Sequence, residues 1–181
     1  SVRQMVHTTI ERWGRIDILV NVAGGADRKP VLEMAEADWD QIIDMNLKSV
    51  FLCCQAVLPA MLKQKYGKIV SISSIYGFTG SATRSSYAAA KAGVAVFTKS
   101  LALEVAKDGI SVSAIAPGRV STPRVRGHYS DEQWAEAVAL IPAGRAGTPD
   151  EVASTALFLV SEENRYITGQ TIHVNGAWLN Y

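Results

Sequence analysis

Tyr87 and Lys91 stand four residues apart in the run SSYAAAKAG, residues 85–93. On a helix, positions i and i+4 share one face about one turn apart. An ammonium beside a phenol favours the phenolate and lowers the tyrosine pKa. That makes Tyr87 a usable general acid or base near neutral pH. The same spacing also suits an ordinary helix with one aromatic and one lysine, so the pair takes its meaning from the elements around it.

Those elements alternate. Short apolar runs predict strands at 16–20 (IDILV), 68–73 (KIVSIS), 111–116 (SVSAIA) and 171–175 (TIHVN). Between them lie segments of helical period. Residues 36–65 carry Trp39, Ile42, Ile43, Leu47, Val50, Phe51, Leu58 and Met61 at three- and four-residue spacings, and 86–107 carry Val94, Phe97, Leu101 and Val105. A short helix fits 130–140. Another starts at Thr148-Pro149-Asp150-Glu151, a capping box with proline at the first helical position. Gly14, Gly67 and Gly109 follow helical runs and precede strands, as stop signals do. Strand–helix alternation with non-alternating apolar strands predicts an α/β fold, a parallel sheet covered on both faces. Such sheets hold ligands beyond the carboxyl ends of their strands.

Three segments fall at those ends: NVAGG (21–25), SSIYG (73–77) and PGRVSTP (117–123). Small residues let a ligand or a neighbouring backbone come close, and the hydroxyls of Ser121 and Thr122 are available to a ligand. Each segment taken singly also reads as an ordinary turn. Together they share one sheet edge with the Tyr87–Lys91 helix.

Composition narrows the class. A chain of 181 residues, 48% hydrophobic and 19% charged, fits one globular domain with a real core. A net charge of +1 with no basic stripe gives no reason to expect nucleic acid. The apolar stretches read as too short and too interrupted to span a bilayer. No leader pattern opens the chain. Cys53 and Cys54 read as reduced packing residues, so the expected setting is cytoplasmic. His7, His128 and His173 lie on separate elements, and no metal site is expected. A serine-hydrolase reading lacks its G-x-S-x-G elbow.

The chain resembles the short-chain dehydrogenase/reductase family, members of the 3-oxoacyl-carrier-protein-reductase kind in particular, along its whole length. Asn21-Val22-Ala23-Gly24 matches the family's Asn-Asn-Ala-Gly, and Asn46 its catalytic asparagine. Ser74 matches its serine, Tyr87 and Lys91 its Tyr-x-x-x-Lys, and Pro117-Gly118 its Pro-Gly. The resemblance implies a Rossmann-like doubly wound sheet in one domain, 1–181, with 120–145 as a variable segment covering the substrate. It implies hydride transfer between NAD or NADP and a small-molecule carbonyl or secondary alcohol. The implied catalytic set is Asn46, Ser74, Tyr87 and Lys91. Tyr87 would exchange the proton and Ser74 would hold the substrate oxygen. Lys91 would hold the phenolate and a ribose, and Asn46 a water. The implied cofactor contacts are Asn21, Ala23, Gly24, Tyr87, Lys91, Pro117, Gly118, Val120 and Thr122. A dimer or tetramer through helices 36–65 and 86–107 is also implied.

The sequence departs from the family in three places. Ser1 falls inside the helix before the family's fourth strand, and the glycine-rich phosphate turn and first strands have no counterpart. The expectation is an N-terminally truncated chain with weak cofactor binding and an apolar edge at IDILV. Val22 replaces an asparagine whose amide helps tie neighbouring strands. Asn175-Gly176-Ala177 replaces Asp-Gly-Gly. The alternative reading is a non-catalytic scaffold that keeps only the family surface; an epimerase or dehydratase would carry a larger C-terminal region.

Arg28, Arg84, Arg119, Arg124 and Arg126 gather near the expected mouth, Arg84 three residues before Tyr87. They could bind a carboxylate, sulfonate or phosphate in bidentate fashion, with Arg84 as a substrate contact, or simply form a solvated loop.

Overall fold

The structure is a computed structural model that describes residues 1–179. Four parallel strands form one sheet in the order β1 (Ile18–Asn21), β2 (Gly67–Ile72), β3 (Ile110–Pro117), β4 (Thr171–Val174). The register aligns Val20 with Val70, Val70 with Ser113, and Ile115 with Ile172. β2 and β3 are central and buried, which is why their apolar runs do not alternate with polar residues.

Helices cover both faces. α1 (Val2–Trp13), α3 (Ser49–Gln64) and α5 (Ser85–Val105) pack on one face, where Val6, Val57, Met61, Val94 and Leu101 meet Ile69 and Val112. α8 (Pro149–Val160) covers the other through Leu159 against Val70 and Ile115. Short α4 (Tyr76–Thr79), α6 (Pro123–Arg126) and α7 (Asp131–Ala139) surround the strand ends. α8 starts with the expected capping box: Thr148 Oγ1 accepts from Glu151 N at 3.3 Å, and Glu151 Oε2 accepts from Thr148 N at 2.8 Å.

Three local expectations need correction. First, Gly67 does not end a helix. Lys65 takes the left-handed cap, at φ 54°, and Gly67 opens β2, where a Cβ would lie 2.5 Å from Met61 Sδ. Glycine is required there by packing. Gly14 and Gly109 do cap their helices, at φ 77° and 75°. Second, residues 36–65 form two helices, α2 (Glu36–Ile43) and α3, joined without a break by a π-turn, Asp44–Lys48. Third, that continuous helix, Glu36–Gln64, has the length and apolar composition to cross a membrane, with 29 residues. It instead lays Val50, Cys54, Val57 and Met61 against the sheet.

The tie between β1 and β2 expected from the residue at 22 is made by Asn21. Its Nδ2 donates to Ser71 Oγ at 3.0 Å and sits 3.7 Å from Cys54 Sγ. Val22 is exposed.

Two substitutions test this packing. A Cβ at Gly77 would lie 2.7 Å from the Ala92 backbone nitrogen and 2.8 Å from the Lys91 carbonyl carbon. Gly77→Ala should therefore cost roughly 1–3 kcal/mol in urea unfolding, because backbone cannot yield as a side chain can. Ala177 holds φ 65°, the left-handed region. Ala177→Gly should raise the unfolding free energy by roughly 1 kcal/mol. An unchanged midpoint in either variant would contradict these contacts.

Candidate active site

The carboxyl ends of β1, β2 and β3 open into a cavity of about 550 Å³. Its lining brings together Asn46, Ser74, Tyr87 and Lys91 from three separate segments.

α5 carries Tyr87 and Lys91 on one face, and β2 fixes where that face lies. Lys91 Nζ donates to Ile72 O at 2.7 Å, and Ser73 Oγ donates to Lys91 O at 2.8 Å. Lys91 is 4% exposed, and burial pulls its pKa down to about 8. An ammonium has three N–H donors, and one of them is used within the described residues.

The expected lowering of the Tyr87 pKa by Lys91 is not what the structure shows. Burial pushes the phenol above its usual value. Opposing it, in falling order, are a hydrogen bond from Ser74 and the charge of Arg84, with Arg124 contributing further. The reason is charge: with a pKa of about 8, Lys91 has lost its proton before the phenol titrates. Lys91 Nζ lies over the face of the Tyr87 ring, 5.6 Å from its centroid, and donates to Ile72 O. At neutral pH the phenol is protonated.

Asn46 is fully buried in the π-turn. Its Nδ2 donates to Ile42 O at 2.9 Å, the carbonyl an α-helix would give to the backbone N–H of Asn46. The same Nδ2 donates to Gly25 O at 2.8 Å, and Oδ1 accepts from Gly25 N at 3.3 Å. One amide thus repairs the helix and pins the chain leaving β1.

Of the expected cofactor contacts, Gly24, Tyr87, Lys91, Gly118 and Val120 line the cavity. Asn21, Ala23, Pro117 and Thr122 are not part of that lining. Asn21 is spent between strands. Thr122 caps α6, its Oγ1 accepting from Val125 N at 3.2 Å. Pro117 O accepts from Ile75 N at 3.1 Å, which binds the end of β3 to the end of β2. Arg84 lines the cavity as expected of a substrate contact. Lining residues that were not singled out include Ala26, Asp27, Tyr76 and Trp178. Tyr76 sits inside SSIYG, so its place at a strand end was the available signal. Trp178 follows β4 by four residues and offered the same one.

The residues present fit the nicotinamide-ribose end of a dinucleotide. A Cβ at Gly24 would stand 3.5 Å from Lys91 Nζ and 2.7 Å from Asn46 Oδ1. The bare backbone there gives a ligand close access to the two unused ammonium protons.

The fold and cavity define a Rossmann-like α/β protein with its ligand crevice beyond the strand ends. Comparison with known proteins narrows the class. The family described as enoyl-(acyl carrier protein) reductase matches residues 1–178. The 3-oxoacyl-(acyl-carrier-protein) reductase FabG of Salmonella typhimurium is 45% identical over 177 residues, 98% of this chain and 72% of that protein. The FabG of Thermotoga maritima is 43% identical over the same shares of each chain. Among solved structures, gox2181 superposes with a TM-score of 0.94 at 38% identity, covering 98% of this chain and 71% of that one. ElxO with NADP bound gives 0.92 at 31% identity, covering 98% and 73%. The chain belongs to the short-chain dehydrogenase/reductase family, a family of NAD(P)-dependent oxidoreductases.

The buried lysine gives a pH test. Its folded pKa, about 8, lies below the ordinary 10.5, so between these values the unfolded chain binds one more proton and stability rises with pH. Wild type should gain about 2 kcal/mol relative to Lys91→Met between pH 8 and pH 10 in parallel urea titrations. A pH-independent difference would mean that Lys91 is solvated.

Proposed function

We propose that this chain reduces a carbonyl compound to a secondary alcohol, with Tyr87 as the proton donor. The observation that carries the reading is the convergence of Ser74, Tyr87, Lys91 and Asn46 on one cavity. When bound, NADH or NADPH supplies the hydride, which adds to the carbonyl carbon. The bond pair displaced onto the carbonyl oxygen takes the Tyr87 proton, and an alcohol leaves. Ser74 donates to the same oxygen as its charge grows. The protonated resting state of the phenol suits this direction: an acid is in place before the carbonyl arrives.

Lys91 would hold the nicotinamide ribose with its free N–H groups. Gly24, Gly118 and Val120 would form the wall behind it, with Asn21, Ala23, Pro117 and Thr122 supporting that wall. Asn46 would keep the Gly24–Gly25 segment in place and carry a water to Lys91. Residues 120–145 would cover the substrate.

The 3-oxoacyl-carrier-protein reductases to which this chain is similar supply the first substrate class to try. The reading includes a homo-oligomer in the cytoplasm, without membrane or nucleic acid partners. The supporting observation is the apolar surface left on α3 and α5, including Phe51, Leu52, Val96 and Leu103.

The test is turnover of ethyl 3-oxobutanoate with NADH and with NADPH. Tyr87→Phe should lower kcat roughly 10²–10⁴-fold while fluorescence titration shows NAD(P)H still binding. Equal rates in wild type and variant would remove Tyr87 as the acid.

A further inference from the structure

Ion pairing sorts the arginines. Arg15 meets Asp17, Arg126 meets Asp131 and Arg145 meets Glu151. Arg28, Arg84, Arg119 and Arg124 form no ion pair among the described residues, and all four line the site cavity. Asp27 is the carboxylate in that lining, and its Oδ1 accepts from Ser86 Oγ at 3.3 Å.

Aromatic faces hold these guanidinium groups. The Arg119 carbon lies 5.0 Å from the Tyr129 ring centroid, 5.8 Å from Trp134 and 5.2 Å from Trp178. Arg84 lies 5.1 Å from Tyr76. Arg28 donates to Tyr129 Oη at 3.3 Å. Stacking occupies the flat face of a guanidinium and leaves its N–H edge to donate. Among the described residues Arg119 Nε is buried and has no acceptor, a cost that a bound oxyanion would remove. Arg124 reaches the chain beyond β1, one terminal nitrogen lying 3.7 Å from where a Gly25 Cβ would stand. Like charges gathered on a low-dielectric wall concentrate anions. The Tyr129 phenol feels that field. Burial raises its pKa, but Arg119 and then Arg28 hold it below the usual value.

We propose that the substrate of this site is a carbonyl compound that itself carries an oxyanion, a carboxylate or a phosphate. Arg84, Arg119 and Arg124 grip that group while the carbonyl meets Ser74 and Tyr87. The inference rests on the reductase reading above and adds the substrate's charge to it.

The experiment compares 3-oxobutanoate, dihydroxyacetone phosphate and uncharged ethyl 3-oxobutanoate at fixed ionic strength. One of the anions should show a KM about tenfold or more below that of the ester, since a lost bidentate contact costs at least this much. Whichever anion wins assigns carboxylate or phosphate. In Arg84→Gln and Arg124→Gln the ester-to-anion KM ratio should fall to about one, and Arg84→Lys should restore part of it. A ratio near one in wild type, or one untouched by both variants, overturns the proposal. Binding without cofactor is read by tryptophan fluorescence, because Trp134 and Trp178 stack on Arg119. Saturable quenching by an anion and not by the ester, without turnover of any of the three, would keep the oxyanion site and sink the reductase reading. Turnover with no anion preference and no quenching would do the reverse.

Discussion

The site depends on one contact, the hydrogen bond from Lys91 Nζ to Ile72 O. A buried ammonium needs acceptors, and a single neutral carbonyl leaves it under-compensated, which is why its pKa falls to about 8. The same contact fixes the rotation of α5 over the end of β2, and so where Tyr87 stands relative to Ser74. Two neighbours keep it from slipping. Ser73 Oγ ties the Lys91 carbonyl from the strand side. Gly77 lets the chain after β2 touch the α5 backbone, which a side chain would prevent.

Asn46 does for β1 what Lys91 does for β2. The π-turn frees the Ile42 carbonyl, and the Asn46 amide takes it while holding both backbone groups of Gly25. The helix irregularity therefore lets one buried side chain face the strand end. With either carbonyl group left unpaired, an unsatisfied buried acceptor would cost about 1–3 kcal/mol.

Much of this was legible in the chain. Strand runs and caps are local, and every predicted strand lies within two residues of its observed bounds at each end. That Asn46, Ser74, Tyr87 and Lys91 belong together was legible because their types and order carry the resemblance, and the fold gathers them in one cavity. The sign of the Tyr87 shift was not. Spacing of i and i+4 gives proximity, but it cannot say that the ammonium turns to a strand carbonyl or that the phenol is buried. Nor could spacing sort the arginines. Arg126 finds Asp131 five residues on, whereas the rings around Arg119 come from the 129–134 stretch and from Trp178 after β4, two distant parts of the chain.

In the proposed reaction, charge joins the acid to the substrate. In the protein alone, Ser74, Arg84 and Arg124 work against burial and hold the Tyr87 phenol lower than burial would leave it. An oxyanion bound between Arg84 and Arg124 cancels the arginine part of that opposition. Burial then prevails, and the phenol keeps its proton more firmly as the site fills. The coupling keeps the phenol protonated while the cavity is filled, and it makes the phenol a weaker acid. Charge growing on the carbonyl oxygen as hydride arrives then becomes the nearest acceptor for that proton. The arginines around Tyr87 thus tie the acidity of the phenol to the charge of whatever fills the cavity, alike in both directions of the reaction.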